Sequence, residues 1–194
     1  MTVSCRWLAC ATLAAALSGC LVPEKFSATA NFRPDGSFTY KFDGTAVDAM
    51  AAMVIRQKGA LSAQDEAGLK READGAAKAK GVHRISYLGA GRFDVSLESD
   101  LQPGQLTGML DLVSVTRDKA GVFSVTSAEL KPKDQEGLNQ LGIRPDGSVA
   151  VILPSNAKVI SQNADGTPGL FSKAYSWKIG SLGQRPSIKF TLAP

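Results

Sequence analysis

The stretch FSATANFRPDGSFTYKF, residues 26–42, alternates apolar and polar side chains on either side of a turn. Phe26, Ala28, Ala30 and Phe32 fall on one face of an extended segment, and Phe38, Tyr40 and Phe42 fall on one face of the next. Between them, Arg33-Pro34-Asp35-Gly36-Ser37 carries turn chemistry: proline presets φ and glycine accepts a positive one. Two half-buried strands closed by such a turn predict a β-hairpin, and the rest of the chain is read around it.

Downstream, Asp43-Gly44 is expected to end the second strand. Thr45 and Asp48 have capping-box-like spacing, so a helix is expected from about Ala46 to Lys58, stopped by Gly59. Its body, AVDAMAAMVI, is apolar nearly all round, which predicts burial on most sides. Ser62 and Asp65 repeat the cap and open a polar helix to about Lys80, with Glu66–Lys70 and Asp74–Lys78 as i,i+4 pairs. Together these predict a helical hairpin, one arm buried and one solvated.

Alternation resumes at residues 82–87 and 92–97 around Gly89-Ala90-Gly91, a second hairpin. Further strands are expected near 108–116, 121–128, 149–153, 157–161, 173–179 and 186–192, with a short helix at 133–141. Arg144-Pro145-Asp146-Gly147-Ser148 repeats the pentapeptide of residues 33–37, as the same turn chemistry used twice or as the trace of a duplicated β-unit. Successive strands are joined by turns too short for a parallel crossover. The predicted fold is therefore α+β: antiparallel β-hairpins forming a sheet around one core, with a helical hairpin inserted after the second strand.

Upstream, Arg6 is followed by an uncharged apolar run from Leu8 to Leu17. That run has the length of a signal-peptide core, and a bilayer-spanning helix needs roughly 20 such residues. It ends in Leu17-Ser18-Gly19-Cys20, which resembles the lipobox of bacterial lipoprotein precursors. Leu17, Ser18 and Gly19 are the expected signal peptidase recognition residues. By that resemblance Cys20 receives a diacylglycerol thioether, and usually a third acyl chain such as palmitate on its amine. Cys5 and Cys10 would leave with the signal, so the processed chain would hold neither a free thiol nor a disulfide. The expected organisation is residues 1–19 as signal peptide, 20–25 as lipidated cysteine and short tether, and 26–194 as a single periplasmic domain. Leu21, rather than Asp, after the cysteine points to sorting to the outer membrane.

Composition narrows the partners. The 194 residues carry 22 Lys and Arg against 18 Asp and Glu, a formal net charge of +4. That balance is mild and evenly spread, so nucleic acid is not an expected partner. It suits a position near an anionic membrane surface.

Chemistry is hard to find in the chain. His83 is the sole histidine and sits in an alternating strand without a G-x-S-x-G elbow, so it reads as a structural or surface residue. One histidine and no thiol leave no zinc set, and Gly89-Ala90-Gly91 lacks the context of a nucleotide loop. Trp177 beside Tyr175 is better suited to packing a sheet face than to stacking on a sugar. No catalytic residue, metal site or cofactor is expected.

The processed region also resembles a group of proteobacterial lipoproteins of uncharacterised function and, more distantly, the LppM-type lipoprotein domain. The residues that carry this are Cys20 with Pro23, Lys25 and Phe26, then Asp35-Gly36-Ser37-Phe38 and Tyr87 to Val95 (YLGAGRFDV). Arg144 to Ser148 and Tyr175-Ser176-Trp177 complete the set. The resemblance implies a mixed α and β envelope domain tied to lipid or cell-wall biology; the helical insertion at 45–80 is shorter than in the group. Three functional readings follow. The first is a non-catalytic, lipid-anchored envelope protein that binds a lipid or amphiphile, with Met50, Met53 and Val54 lining a groove. The second is an accessory lipoprotein docking on another envelope protein, and the third a hydrolase with an unrecognised site.

Overall fold

The computed structural model describes residues 21–127, 129–170 and 172–193. In chain order these form β1 (Leu21–Phe32), β2 (Phe38–Asp48), α1 (Ala49–Lys58), α2 (Ala63–Ala76), β3 (Val82–Gly89) and β4 (Arg92–Leu101). Then come β5 (Ser114–Arg117), β6 (Phe123–Thr126), α3 (Pro132–Gln140), β7 (Asp146–Ile152), β8 (Ala157–Gln162), β9 (Ala174–Ile179) and β10 (Ser187–Leu192). The fold is α+β, with α1 and α2 following the second strand. One sheet has six strands in the order β3-β4-β2-β1-β7-β9, and the other four in the order β5-β6-β10-β8.

Neighbouring strands are antiparallel except β1 and β7, which run parallel from Lys25↔Asp146 to Asn31↔Ile152. This corrects the expectation of a wholly antiparallel arrangement. Loop length limits strands that follow one another in sequence. β1 and β7 are separated by five strands and three helices, so a crossover is available to them.

The faces predicted for the first hairpin are the observed ones. Phe26, Ala28, Ala30, Phe32, Phe38, Tyr40 and Phe42 are all buried. Phe93, Val95 and Leu97 of β4 continue the same face, and the second sheet closes it with Val115, Phe123, Val125, Ile188 and Phe190. The seam between the sheets is aromatic: Phe32 stacks on Phe38 at 5.1 Å and meets Phe190 edge-on at 5.0 Å, while Phe123 stacks on Phe190 at 5.1 Å. Such ring pairs add about 0.5–1.5 kcal/mol each beyond burial of area. The Tyr40 hydroxyl donates to Leu110 O (2.7 Å) and accepts from Leu112 N–H (3.3 Å), pinning the β4–β5 connection over the core. Burial raises its pKa well above the usual tyrosine range, so it stays a donor.

The two RPDGS segments adopt different structures. At 33–37 the pentapeptide is a turn: Gly36 has φ +88°, and the Asp35 carboxylate accepts from Ser37 N–H (2.9 Å) and Oγ–H (2.7 Å). Those bonds lower the Asp35 pKa, so this contribution is present above the usual carboxylate range and is lost only as acid titrates the folded group. At 144–148 the same letters lead into a strand, with Asp146, Gly147 and Ser148 already in β7. The need for Gly147 is spatial: a Cβ there would lie 2.5 Å from Phe26 O on the parallel neighbour. The second copy is thus not a turn, because pairing with β1 overrides its local preference.

Three boundaries also differ from expectation. Residues 21–25, read as a tether, are the first part of β1, with Leu21 paired to Asp48 and Val22 to Val47. β2 does not stop at Asp43-Gly44 but runs on to Asp48, beside an irregularity in β1 between Pro23 and Phe26. Glycine is needed at 44 because a side chain there would collide with the backbone of Lys25 and Phe26. The helix therefore begins at Ala49, capped by Asp48, whose carboxylate accepts from Ala51 N–H at 2.8 Å. Gly59 ends it in the left-handed conformation, as its sequence position predicted.

The largest departure is in α1 itself. Of its residues only Ala51 is buried, and the helix supplies no side chain to the main core. The apolar run AMAAMVI is instead left half exposed, with Met50 53 % accessible. α2 is the helix that packs, through Ala73, Leu69 and Ala76 against the core and along β3. Glu66 does not pair with Lys70; it accepts from the Tyr87 hydroxyl at 2.5 Å.

Candidate functional site

Side chains on the outer face of the large sheet are mostly satisfied by each other. Lys41 pairs with Glu98 (3.0 Å), and Arg84 bridges Asp94 (2.6 Å) and Asp43 (3.5 Å). His83 is exposed there, 3.7 Å from Glu98. Exposed pairs of this kind are screened by solvent and contribute little to stability. This is a solvated strand face.

One end of that outer face is different. Val47 and its partner across the ladder, Arg92, alternate to the side opposite Ala46 and Phe93, which belong to the core. On the outer side Val47 is nonetheless only 2 % exposed, because other elements fold over it. An open cleft of about 370 Å³ lies here, lined by Val47, Ala52, Ile55, Arg56, Ala90, Arg92 and residues 140–143.

Each wall has a local cause. The β3–β4 connection is a two-residue turn with positive φ at Ala90 (51°) and Gly91 (73°), the geometry that matches strand twist. Its tip is held by α2: Glu66 accepts from the Tyr87 hydroxyl and from Ala90 N–H (3.2 Å), while the Tyr87 oxygen accepts from Gly91 N–H (3.0 Å). Burial, then the bond to Glu66, raises the Tyr87 pKa, which keeps the hydroxyl protonated. α1 rests directly on this turn, since Asp48 N–H donates to Gly91 O (2.8 Å) and a Cβ on Gly91 would stand 2.5 Å from that of Ala51. Gly91→Ala is accordingly expected to cost about 1–2 kcal/mol from the backbone alone, and to push α1 outward. Its denaturation midpoint should fall; an unchanged midpoint would mean that α1 does not rest on the turn.

The third wall comes from α3. Its C-terminus closes with Gly142 in the left-handed region (φ 76°), Gly142 N–H donating to Asn139 O (3.0 Å) and Ile143 N–H to Leu138 O (3.1 Å). That double bond is a Schellman motif, and it turns Ile143 inward, where it is 2 % exposed. The cleft thus has apolar lining from Val47, Ala52, Ile55 and Ile143, and two arginines, Arg56 and Arg92, also line it. Arg92 is held by Glu24 through two hydrogen bonds (3.0 and 3.3 Å). Arg56 has no ion pair among the described residues.

Of the residues read from sequence as a groove, none lines this cleft. Met50, Met53 and Val54 lie on another side of α1, and the cleft takes Ala52, Ile55 and Arg56 instead. An apolar helix indicated that some surface would be greasy, but the side facing the cleft depends on where Asp48 caps. Arg92, Gly142 and Ile143 carried no sequence signal of a shared site. Leu17, Ser18, Gly19 and Cys20 lie outside the described residues. Trp177 packs the sheet and donates Nε1–H to Asn163 Oδ1 at 2.8 Å. Among the described residues no three His, Cys, Asp or Glu side chains gather as a metal set, and no helix is long and apolar enough to cross a membrane.

No family model and no curated protein sequence matches the chain. Among solved structures it is similar to the folded domain of the Mycobacterium tuberculosis LppM protein, determined by NMR, at 16% identity and a TM-score of 0.44. That likeness covers 88% of this chain and 91% of the other.

Proposed function

We propose that this chain is a non-catalytic, lipid-anchored lipoprotein of the bacterial cell envelope whose cleft binds an anionic amphiphile. The observation that carries the reading is the cleft: apolar walls from α1, β2 and the turn after α3, with Arg56 among the lining residues. At about 370 Å³ it lies at the lower end of ligand clefts, which run from about 300 to 1,000 Å³. Such a space suits one acyl chain with a charged head rather than a whole diacyl lipid. The periplasm-facing location and the outer membrane as final address belong to this proposal and rest on Cys20 and Leu21. The exposed His83 and the mutually paired charges of the outer face are in keeping with binding rather than hydrolysis.

Native mass spectrometry of the full chain, extracted in mild detergent and offered palmitate, tests the reading. The wild-type protein is expected to carry one palmitate. Ala52→Trp, which fills the cleft from a half-buried position, is expected to lose it at an unchanged melting temperature, and Arg56→Ala to weaken it severalfold. A bare protein mass at saturating palmitate would overturn the amphiphile reading and leave the cleft to the apolar side chain of an envelope protein partner.

A further inference from the structure

We propose that the Met50–Met53–Val54 side of α1 is a membrane-lying surface, seated on the headgroup layer of the bilayer to which the chain is anchored. The proposal rests on the lipid anchor at Cys20 but not on the cleft or its ligand. Met50, Met53 and Val54 have i, i+3, i+4 spacing and so share one side of the helix, away from Ala52, Ile55 and Arg56. Met50 is 53 % exposed, Met53 and Val54 are half-buried, and none of the three belongs to the core. Methionine suits such a surface, being flexible and polarizable.

The occupant is indicated by the position of Leu21, the residue that follows the proposed site of acylation. Leu21 is already in the sheet, and its partner is Asp48, the residue that caps α1. An acyl chain attached through the residue before Leu21 would therefore start at the N-terminus of α1. β1 leads away from this point for 12 residues, so the Phe32 end of the sheet stands about 36 Å off at strand rise. Only the α1 end reaches the bilayer. Lys58, exposed in the last turn of the helix, complements anionic headgroups. One helical face this small is not a membrane anchor. On a chain already tethered it needs little affinity, because the tether supplies a high local concentration, and its effect is to set the sheet upright on the membrane.

Once Cys5 and Cys10 have left with the signal and Cys20 is acylated, an introduced cysteine is the one free thiol. Met50→Cys and Met53→Cys, each labelled with a nitrobenzoxadiazole dye, can be read in lipidated full-length protein on phosphatidylethanolamine–phosphatidylglycerol vesicles. Ser155→Cys, exposed near the far turn where Asn156 reaches Pro34 O, is the control. Both helix labels are expected to shift to the blue and to be quenched severalfold more than the control by nitroxide-bearing lipid. Protein that pellets with the vesicles while all labels stay equally aqueous would overturn the membrane face and leave the anchor standing. Protein that fails to pellet would overturn both. Helix labels that self-quench between copies without lipid quenching would replace the bilayer with a second copy of the chain.

Discussion

Phe32→Ala is expected to destabilise the protein by about 3–5 kcal/mol, the usual range for removing a buried phenylalanine. The value should fall in the upper half of that range because of what the ring touches. Phe32 is 4 % exposed and meets Phe38, Phe123 and Phe190, so it belongs to both sheets at once. Truncation leaves a hole at the seam that neither sheet can close alone, and the three remaining rings lose edge and face contacts together. Urea denaturation of the full chain, followed by tryptophan emission, measures the change. A loss below about 1 kcal/mol would mean that the sheets do not share this seam, since surface substitutions fall within about ±0.5 kcal/mol. The coupling between Phe32 and Phe123 can be isolated by a double-substitution cycle, which should depart from additivity because the rings are in contact.

Cys20→Ala is expected to abolish both incorporation of labelled palmitate and membrane association. Each buried CH₂ of an acyl chain contributes about 0.8 kcal/mol, and attachment becomes stable when two or more chains are present. The exposed face of α1 cannot replace that: it presents a few apolar side chains rather than a long helix. The variant should therefore appear in the soluble fraction. An alanine variant that is still cut after Gly19 and still pellets with membranes would show that the lipobox reading is wrong. It would also remove the premise from which the orientation of α1 is argued.

Much of the architecture was legible in the residues. Period-two alternation at 26–32 and 38–42 identified the core face correctly, because a strand with one wet side must place alternate residues inward. Gly59, Ser62 and the Ala90-Gly91 turn were readable for a similar reason, since each satisfies or relieves a local backbone requirement. The failures are of one kind. The second RPDGS, the continuation of β2 through Gly44 and the exposure of α1 all depend on what lies across space from the segment. A composition as apolar as AMAAMVI states only that something greasy covers the helix, not whether that cover is the core, a ligand or a bilayer.

The sequence by itself determined the inward faces of the first hairpin, the turns at 33–37 and 89–91, the glycine stop of α1, the serine cap of α2 and the α+β class, because these follow from periodicity and backbone sterics within a few residues. Only the tertiary structure decided that β1 and β7 pair in parallel, a contact between segments more than a hundred residues apart. It alone brought Arg56, Arg92 and Ile143 to one cleft, through a glycine that lets α1 touch the β3–β4 turn and another that turns the chain after α3 inward. And it placed Leu21 beside Asp48, so that the entry of the chain and the exposed side of α1 share one end of the molecule. Local rules cannot supply such placements, since each is settled by side chains and backbones meeting across the fold.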